Sequence, residues 1–316
     1  MTLFLERIIS GINLGSIYAI IALGYTMVYG IARMLNFAHG DVIMIGAYIC
    51  FVAIGSLSLP PLVGVLLAVA VCTILGVVIE RLAYRPLRQS ASLAVLITAI
   101  GVSYLLQNLA QLIWTADTKS FPPLVQTVIE QAAVTLGLAT PEEIAASPNF
   151  GSIVISANLR ISGTTIVTIL ANILIMIGLT LFTGHTKTGK AMRAVSEDRG
   201  AAELMGISVN RTIALTFAIG SALAAIAGVL LCSTYQALQP TTGSMPGIKA
   251  FTAAVFGGIG SIPGAMIGGI LLGIIEILGN GYVSTQLGDA FVFAVLIVVL
   301  LVKPTGLLGK KVSEKV

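Results

Sequence analysis

Thr164 to Phe182 reads TTIVTILANILIMIGLTLF, Thr183 to Arg211 reads TGHTKTGKAMRAVSEDRGAAELMGISVNR, and Thr212 to Leu230 reads TIALTFAIGSALAAIAGVL. Each apolar run is close to the length a helix needs to cross a bilayer. The loop between them gathers Lys187, Lys190, Arg193, Glu197, Asp198, Arg199, Glu203 and Arg211, although only 9% of the chain is charged. Such a loop belongs in water at the end of two membrane spans, and it is the leading candidate for a docking surface.

The same pattern extends outward. A hydrophobic content of 57% and a mean hydropathy of +1.02 exceed what a soluble surface tolerates, so the chain reads as an all-α polytopic membrane protein. Further spans are expected at Ile8–Tyr29, Leu62–Ile79, Ala91–Trp114, Gly264–Leu278 and Ala290–Val302, with shorter apolar segments at Val42–Ile54 and Ile248–Ile259. The short pair reads as tilted, broken or re-entrant helices. About eight to nine transmembrane helices result.

Cations cluster at Arg81, Arg85 and Arg88, in the quoted loop, and at Lys303, Lys310, Lys311 and Lys315, which places these segments and the C-terminus in the cytoplasm. The net charge of +4 therefore reflects topology and not nucleic-acid binding. Residues 115–163 carry Lys119 and Arg160 against Asp117, Glu130, Glu142 and Glu143, as suits the opposite face. The N-terminus depends on Val42–Ile54: a crossing puts it outside with about nine spans, a re-entrant segment puts it inside with about eight. The balance favours a crossing. The first apolar run lacks a basic leader and a small-x-small cleavage pattern, so it is expected to be retained.

One permease domain, 1–316, is expected, with a first half at 1–114, an external cap at 115–163 and a second half at 164–316 containing the loop 183–211. In the cap, Pro122, Pro123, Pro141 and Pro148 interrupt a helix near Leu124–Leu136, and Ile153–Ile161 reads as a hairpin. Cys50, Cys72 and Cys232 lie in apolar segments without metal-site spacing and read as buried small hydrophobes; no metal site is expected.

Within the loop, Gly184–Ala191 mimics a phosphate-binding P-loop. A P-loop needs Ser or Thr where Ala191 stands and a strand before it, so nucleotide binding is not expected. Ser196 reads as a helix cap, Glu197 and Asp198 suit the positive end, and Gly206 stops the helix. Ala201, Ala202, Leu204 and Met205 would cover one flank. Docking of this short helix in a partner's groove and a merely solvated loop remain equally open from these residues.

Asn36-Phe-Ala-His39-Gly-Asp41 and Pro240–Lys249 each lead into a short apolar segment, from opposite sides of the membrane, which suggests an inverted repeat with breaks near the midplane. Ionisable groups at such depth are functional candidates, so Asn36, His39, Asp41, Lys249 and Glu276 are candidate pathway residues, with capping favoured for His39 and Asp41. Gly260, Gly264, Gly268, Gly269 and Gly273 have the spacing of close helix packing, within the subunit or against another.

The motifs Gly24-Tyr-Thr-Met-Val-Tyr-Gly30, Asn36-Phe-Ala-His-Gly40, Glu80-Arg-Leu-Ala-Tyr-Arg-Pro86, Gly206-Ile207 and Lys249–Gly269 resemble the H-type permease subunit of bacterial high-affinity branched-chain amino-acid ABC importers, over about Gly11–Gly309. Residues 115–163 match that pattern poorly. The resemblance implies a non-catalytic half of a pore in the bacterial inner membrane lipid bilayer. It would be paired with a related permease, driven by two cytoplasmic ATPase subunits that hold ATP and Mg, and fed by a periplasmic binding protein. It also implies that Glu197, Asp198, Arg199, Ala201, Ala202, Leu204, Met205 and Gly206 form an ATPase-coupling segment. The Glu-Ala-Ala-x-x-x-Gly signature is kept as Ala201-Ala202-x-x-x-Gly206, with Gly200 in place of the Glu and without the later Leu-Pro. Leucine, isoleucine and valine are the implied cargo, with urea, amides or other amino acids as alternatives. An ATPase-independent secondary transporter would need more buried ionisable groups than this chain offers. An intramembrane enzyme using His39 and Asp41 lacks a nucleophile.

Overall fold

In a computed structural model, the structure describes residues 2–137, 140–146, 151–156 and 159–309. The long or apolar helices are α1 (Thr2–Ala32), α2 (His39–Gly55), α3 (Pro61–Ile79) and α4 (Ser92–Trp114) in the first half. Strand β1 (Lys119–Ser120), helices α5 (Leu124–Thr135) and α6 (Pro141–Ala146), and strands β2 (Ile153–Ser156) and β3 (Leu159–Ile161) follow. The second half holds α7 (Gly163–His185), α8 (Lys187–Glu197), α9 (Arg199–Leu204), α10 (Val209–Tyr235), β4 (Ala237–Leu238), α11 (Ser244–Gly257), α12 (Ile262–Tyr282) and α13 (Gly288–Val302). Among the described residues seven helices are long and apolar enough to span a membrane and α2 is a shorter apolar one; α11, of 14 residues, is the other short segment.

The helix ends follow from local chemistry. Ser162, Ser208 and Ser261 accept hydrogen bonds from the first-turn amides of α7, α10 and α12. Helix α3 starts on Pro61 and continues through a π-helical turn, Glu80–Tyr84, into a 3-10 turn at Arg85–Leu87, where Pro86 cannot extend an α-helix. The terminal cations Lys310, Lys311 and Lys315, and Pro148 of the cap, lie outside the described residues.

The two short helices are entered in similar ways from opposite ends of the bundle. Helix α1 ends on Arg33 with φ +53, the chain turns back into the bundle, and α2 begins within it; helix α10 ends on Gln236 with φ +51, the chain turns back from the other face, and α11 begins within it. A turn with positive φ (Ser58; Gly258 and Gly260) and a proline near the next helix start (Pro61; Pro263) then lead into α3 and α12. His39 packs beside Gly24, eight residues before the end of α1, so α2 starts about 12 Å inside that end. The two starts meet: a Cβ on Gly40 would lie 2.7 Å from the Gly243 carbonyl oxygen.

Helices α1 and α10 form the buried centre. Helix α1 runs antiparallel to α12, with Gly11 on Ile274, Gly15 on Ile270, Ala19 on Gly269 and Gly30 on Gly260. At the end of the bundle that carries Arg33, Arg88 and the quoted loop, α1 finishes; at the opposite end it starts, where Arg7 lies 4.8 Å over the Tyr282 ring. This orientation is the one that follows from counting Val42–Ile54 as a crossing. Lys303 and the segment after it return to the basic end, where Leu307 and Leu308 amides bond to the carbonyls of Phe256 and Gly257.

The cap differs in detail from the expected one. The helix at Leu124–Thr135 and the β2–β3 hairpin are present, and α6 is added between them. Strand β1 pairs with β4, Lys119 opposite Leu238, so the cap is tied to the segment that re-enters the bundle before α11.

Gly15→Val tests the α1–α12 seam, because its Cβ would sit 2.6 Å from Ile270 Cα with no side chain to yield. Overpacking of this kind should cost about 1–3 kcal/mol and lower the melting temperature in detergent. Gly178→Ala, which points a methyl into open space on α7, should leave it unchanged.

Candidate coupling site and intramembrane path

The charged loop is two helices and not one. Asp198 is extended (φ −152, ψ 115) and breaks the chain between α8 and α9, while its Oδ1 accepts from the Ala201 amide at 3.0 Å. The cap expected at Ser196 is thus supplied by Asp198; Ser196 Oγ donates to the Arg193 carbonyl inside α8. The single helix expected over Glu197–Met205 is cut at that point, since a short acidic side chain competes well for free amides at a helix start. Gly206 adopts φ +78 and closes α9, with the Gly206 amide on the Glu203 carbonyl (2.9 Å) and the Ile207 amide on the Ala202 carbonyl (3.0 Å).

Ala202 is 3% exposed and faces the bundle, so it does not belong to the docking flank; Leu204 at 90% and Met205 at 81% project into solvent. Glu197, Asp198 and Ala201 are exposed beside them, and Arg199 is half-buried. A helix, α7, directly precedes the P-loop-like segment, which rules out the strand such a loop requires.

Two arginines tie this loop to the core. Arg33, at the end of α1, donates to the Ser196 carbonyl at 2.7 Å, and Arg199, at the start of α9, donates to the Ala32 carbonyl. Both cations sit where the last carbonyls of α1 concentrate negative potential. Burial, and then the like charges of Arg88 and Arg33, lower the Arg199 pKa. A cavity of about 750 Å³ opens beside the clamp, lined by Arg33, Arg88, Arg199, Glu197, Asp198 and Tyr29 among others. Arg88 itself is held by Glu80 and by Asn210 Oδ1 (2.5 Å), which joins the turn after α3 to α10. Arg33 was not singled out by sequence; its position directly after an apolar run, as a helix-terminal cation, was the available signal.

The candidate pathway residues separate into two groups. Near the start of α2, Asn36 accepts from the Tyr84 hydroxyl (2.8 Å), and the His39 ring packs 4.5 Å from that of Tyr25. Asp41 accepts from Gln107 Nε2 at 2.8 Å, and the same Nε2 is 3.2 Å from Ser244 Oγ and 3.3 Å from Ser103 Oγ. His39 and Asp41 therefore point to different neighbours, and neither caps α2, whose N-cap Ala38 has no side-chain bond.

Lys249 and Glu276 form the second group and pair with each other at 2.7 Å. Lys249 also reaches Asp289 at 2.5 Å, and Tyr18 donates to Glu276 at 2.9 Å. This network joins α1, α11, α12 and α13. Gly264 and Gly268 lie against Gly257 and Ala253 of α11, and Gly269 and Gly273 against Ala19 and Gly15 of α1, all inside the subunit. Gly260 lies in the turn before α12 at φ +91; its own Cβ would meet open space, while its backbone packs against Gly30 of α1.

Short helices meeting inside the bundle, and a polar loop clamped to one of the two most buried spans, define a membrane transport subunit. The chain belongs to the family described as branched-chain amino acid transport system / permease component, whose profile matches residues 7–300. It is 46% identical over 323 residues to the high-affinity branched-chain amino acid transport system permease protein LivH of Escherichia coli strain K12, covering 99% of this chain and 98% of that one. It is 44% identical to the corresponding protein BraD of Pseudomonas aeruginosa, with the same coverage. Among solved structures, PsaBC from Streptococcus pneumoniae in complex with Fab aligns over 96% of this chain and 92% of its own at 14% identity, with a TM-score of 0.46, too distant for further comparison.

Lys249→Met should leave the buried Glu276 carboxyl without its cationic partner, at a cost of about 3–5 kcal/mol read as a lower melting temperature in detergent. Adding Glu276→Gln should recover most of the loss. A double variant no more stable than the single one would show that the pair is not the source of the effect.

Proposed function

We propose that the chain is the non-catalytic, membrane-spanning subunit of an ATP-driven importer for branched-chain amino acids, with ATP and Mg held by partner ATPase subunits. The basic end faces the cytoplasm, the cap over residues 115–163 faces outward, and the C-terminus is cytoplasmic in a bacterial inner membrane. Residues 1–114 and 164–316 act as the two halves of one permease domain. A second related permease completes the path, two ATPase subunits engage α9, and a periplasmic binding protein delivers leucine, isoleucine or valine. The excess of Lys and Arg at one end supports the orientation, and the relatives' names support the cargo.

One observation carries the mechanical part: α9 offers an apolar tip, Leu204 and Met205, while its base is tied to the last turn of α1 through Arg33 and Arg199. A partner that seats Leu204 and Met205 in a groove and then moves must displace α1. Helix α1 packs along α12 through backbone-close glycines, so the displacement passes into the second half as a rigid shift.

In proteoliposomes holding the complete importer, leucine uptake should require ATP and the ATPase subunits. Leu204→Asp with Met205→Asp should cut uptake by roughly tenfold or more, because burying a charge in a partner's apolar groove is costly, while membrane accumulation stays normal. Uptake by this chain without ATPase subunits, or unchanged uptake in the double variant, would overturn the reading.

A further inference from the structure

Helix α4 is among the least buried of the spans, and one of its faces changes character along its length. Leu93, Ile97 and Ile100 lie on that face toward the basic end and are exposed. At the same helical spacing toward the outer end come Tyr104, Gln107, Asn108 and Gln111, of which Tyr104, Asn108 and Gln111 are exposed. Asn108 Nδ2 donates to the Tyr104 carbonyl at 2.7 Å, and neither the Asn108 amide oxygen nor the Gln111 side chain has a partner among the described residues. The flank beside it is apolar throughout: Leu105, Leu109 and Leu112 are also exposed.

Two exposed side-chain amides and a phenol within one span are costly against lipid, where polar groups lack partners. Lipid can cover the Leu105–Leu109–Leu112 flank without cost. The amide face borders the place where both half-length helices begin, because Gln107 bonds Asp41 on the first turn of α2 and lies 3.2 Å from Ser244 Oγ at the start of α11.

Resting on the importer reading, we infer that the outer half of α4, through Tyr104, Gln107, Asn108 and Gln111, lines the water-filled translocation path beside the starts of α2 and α11, and offers a zwitterionic solute uncharged hydrogen-bonding groups. An amide donates to a carboxylate and accepts from an ammonium, so a row of amides accommodates both ends of an amino acid. None of Tyr104, Asn108 and Gln111 is a charged residue, so none holds either end as strongly as an ion pair would, which suits a surface the solute must leave.

The test is access by a membrane-impermeant thiol reagent applied from the outer side to the complete importer. The wild-type chain serves as blank, since Cys50, Cys72 and Cys232 are buried. Asn108→Cys and Gln111→Cys should react at least about tenfold faster than Leu109→Cys and Leu112→Cys, because a thiol against lipid is held in its unreactive protonated form. Leucine presented with its binding protein should slow the two amide positions only, and their modification should block uptake. Equal rates on the two flanks, or Asn108→Cys slower than Leu109→Cys, in complexes that assemble in the membrane with their ATPase subunits would overturn the path assignment. Fast labelling at Asn108→Cys and Gln111→Cys in a chain whose uptake ignores the ATPase would leave the wet face standing and sink the importer reading instead.

Discussion

Backbone groups inside a bilayer have no water to turn to, and this constraint governs where the chain can break. It breaks twice, at residues 33–38 and 236–243, and each break is supplied with partners. The Arg33 amide bonds the Tyr29 carbonyl and the His39 amide the Asn36 carbonyl. On the other side Gln236 gives its carbonyl to the Phe121 amide, and the Thr242 and Ser244 amides bond Gln239 and Thr241. The β1–β4 pair adds backbone partners at the second break, and the side chains of Asn36 and Asp41 fasten the first to Tyr84 and Gln107. Once satisfied, the breaks allow two helices to begin next to one another within the bundle, and the polar residues that a path needs gather around them.

The same breaks define how force can travel. Ending α1 on Arg33 frees a helix terminus at the basic face, and that terminus is what the α8–α9 junction grips. Without the break there would be no exposed carbonyls at Ala32 for Arg199, and no cation in position for Ser196. The glycine seam between α1 and α12 then makes α1 a stiff member, since closely packed backbones shift together. The Lys249 network ties α11, α12 and α13 to the same unit near the outer end.

Much of this was legible in the residues. All nine apolar segments form helices near their expected bounds, because length and hydropathy suffice for a span, and the polar entries before α2 and α11 marked the breaks. What sequence could not supply was direction around a helix axis. Ala202 looked like its neighbour Ala201, yet it faces inward, because Asp198 resets the helix start and with it the facing of every later residue. Lys249 and Glu276 were each visible as buried charges, but their pairing depends on how the turn after Gly257 folds α12 back along α11. The amide row on α4 was present at helical spacing and hidden by the hydropathy of its neighbours, an average that does not register one polar face.

The mid-membrane meeting of the two half-length helices against α4 is the central claim, and proximity tests it most directly. With Gln107→Cys and Ser244→Cys in one chain, a short bifunctional thiol reagent should join the two positions in membranes. The Gln107 Nε2 and Ser244 Oγ atoms they replace are 3.2 Å apart. The product should migrate as a cross-linked single chain that resists splitting after cleavage between residues 115 and 163. Two separate fragments after that cleavage, with each single-cysteine chain reacting normally, would contradict the meeting of α11 with α4 and the architecture built on it.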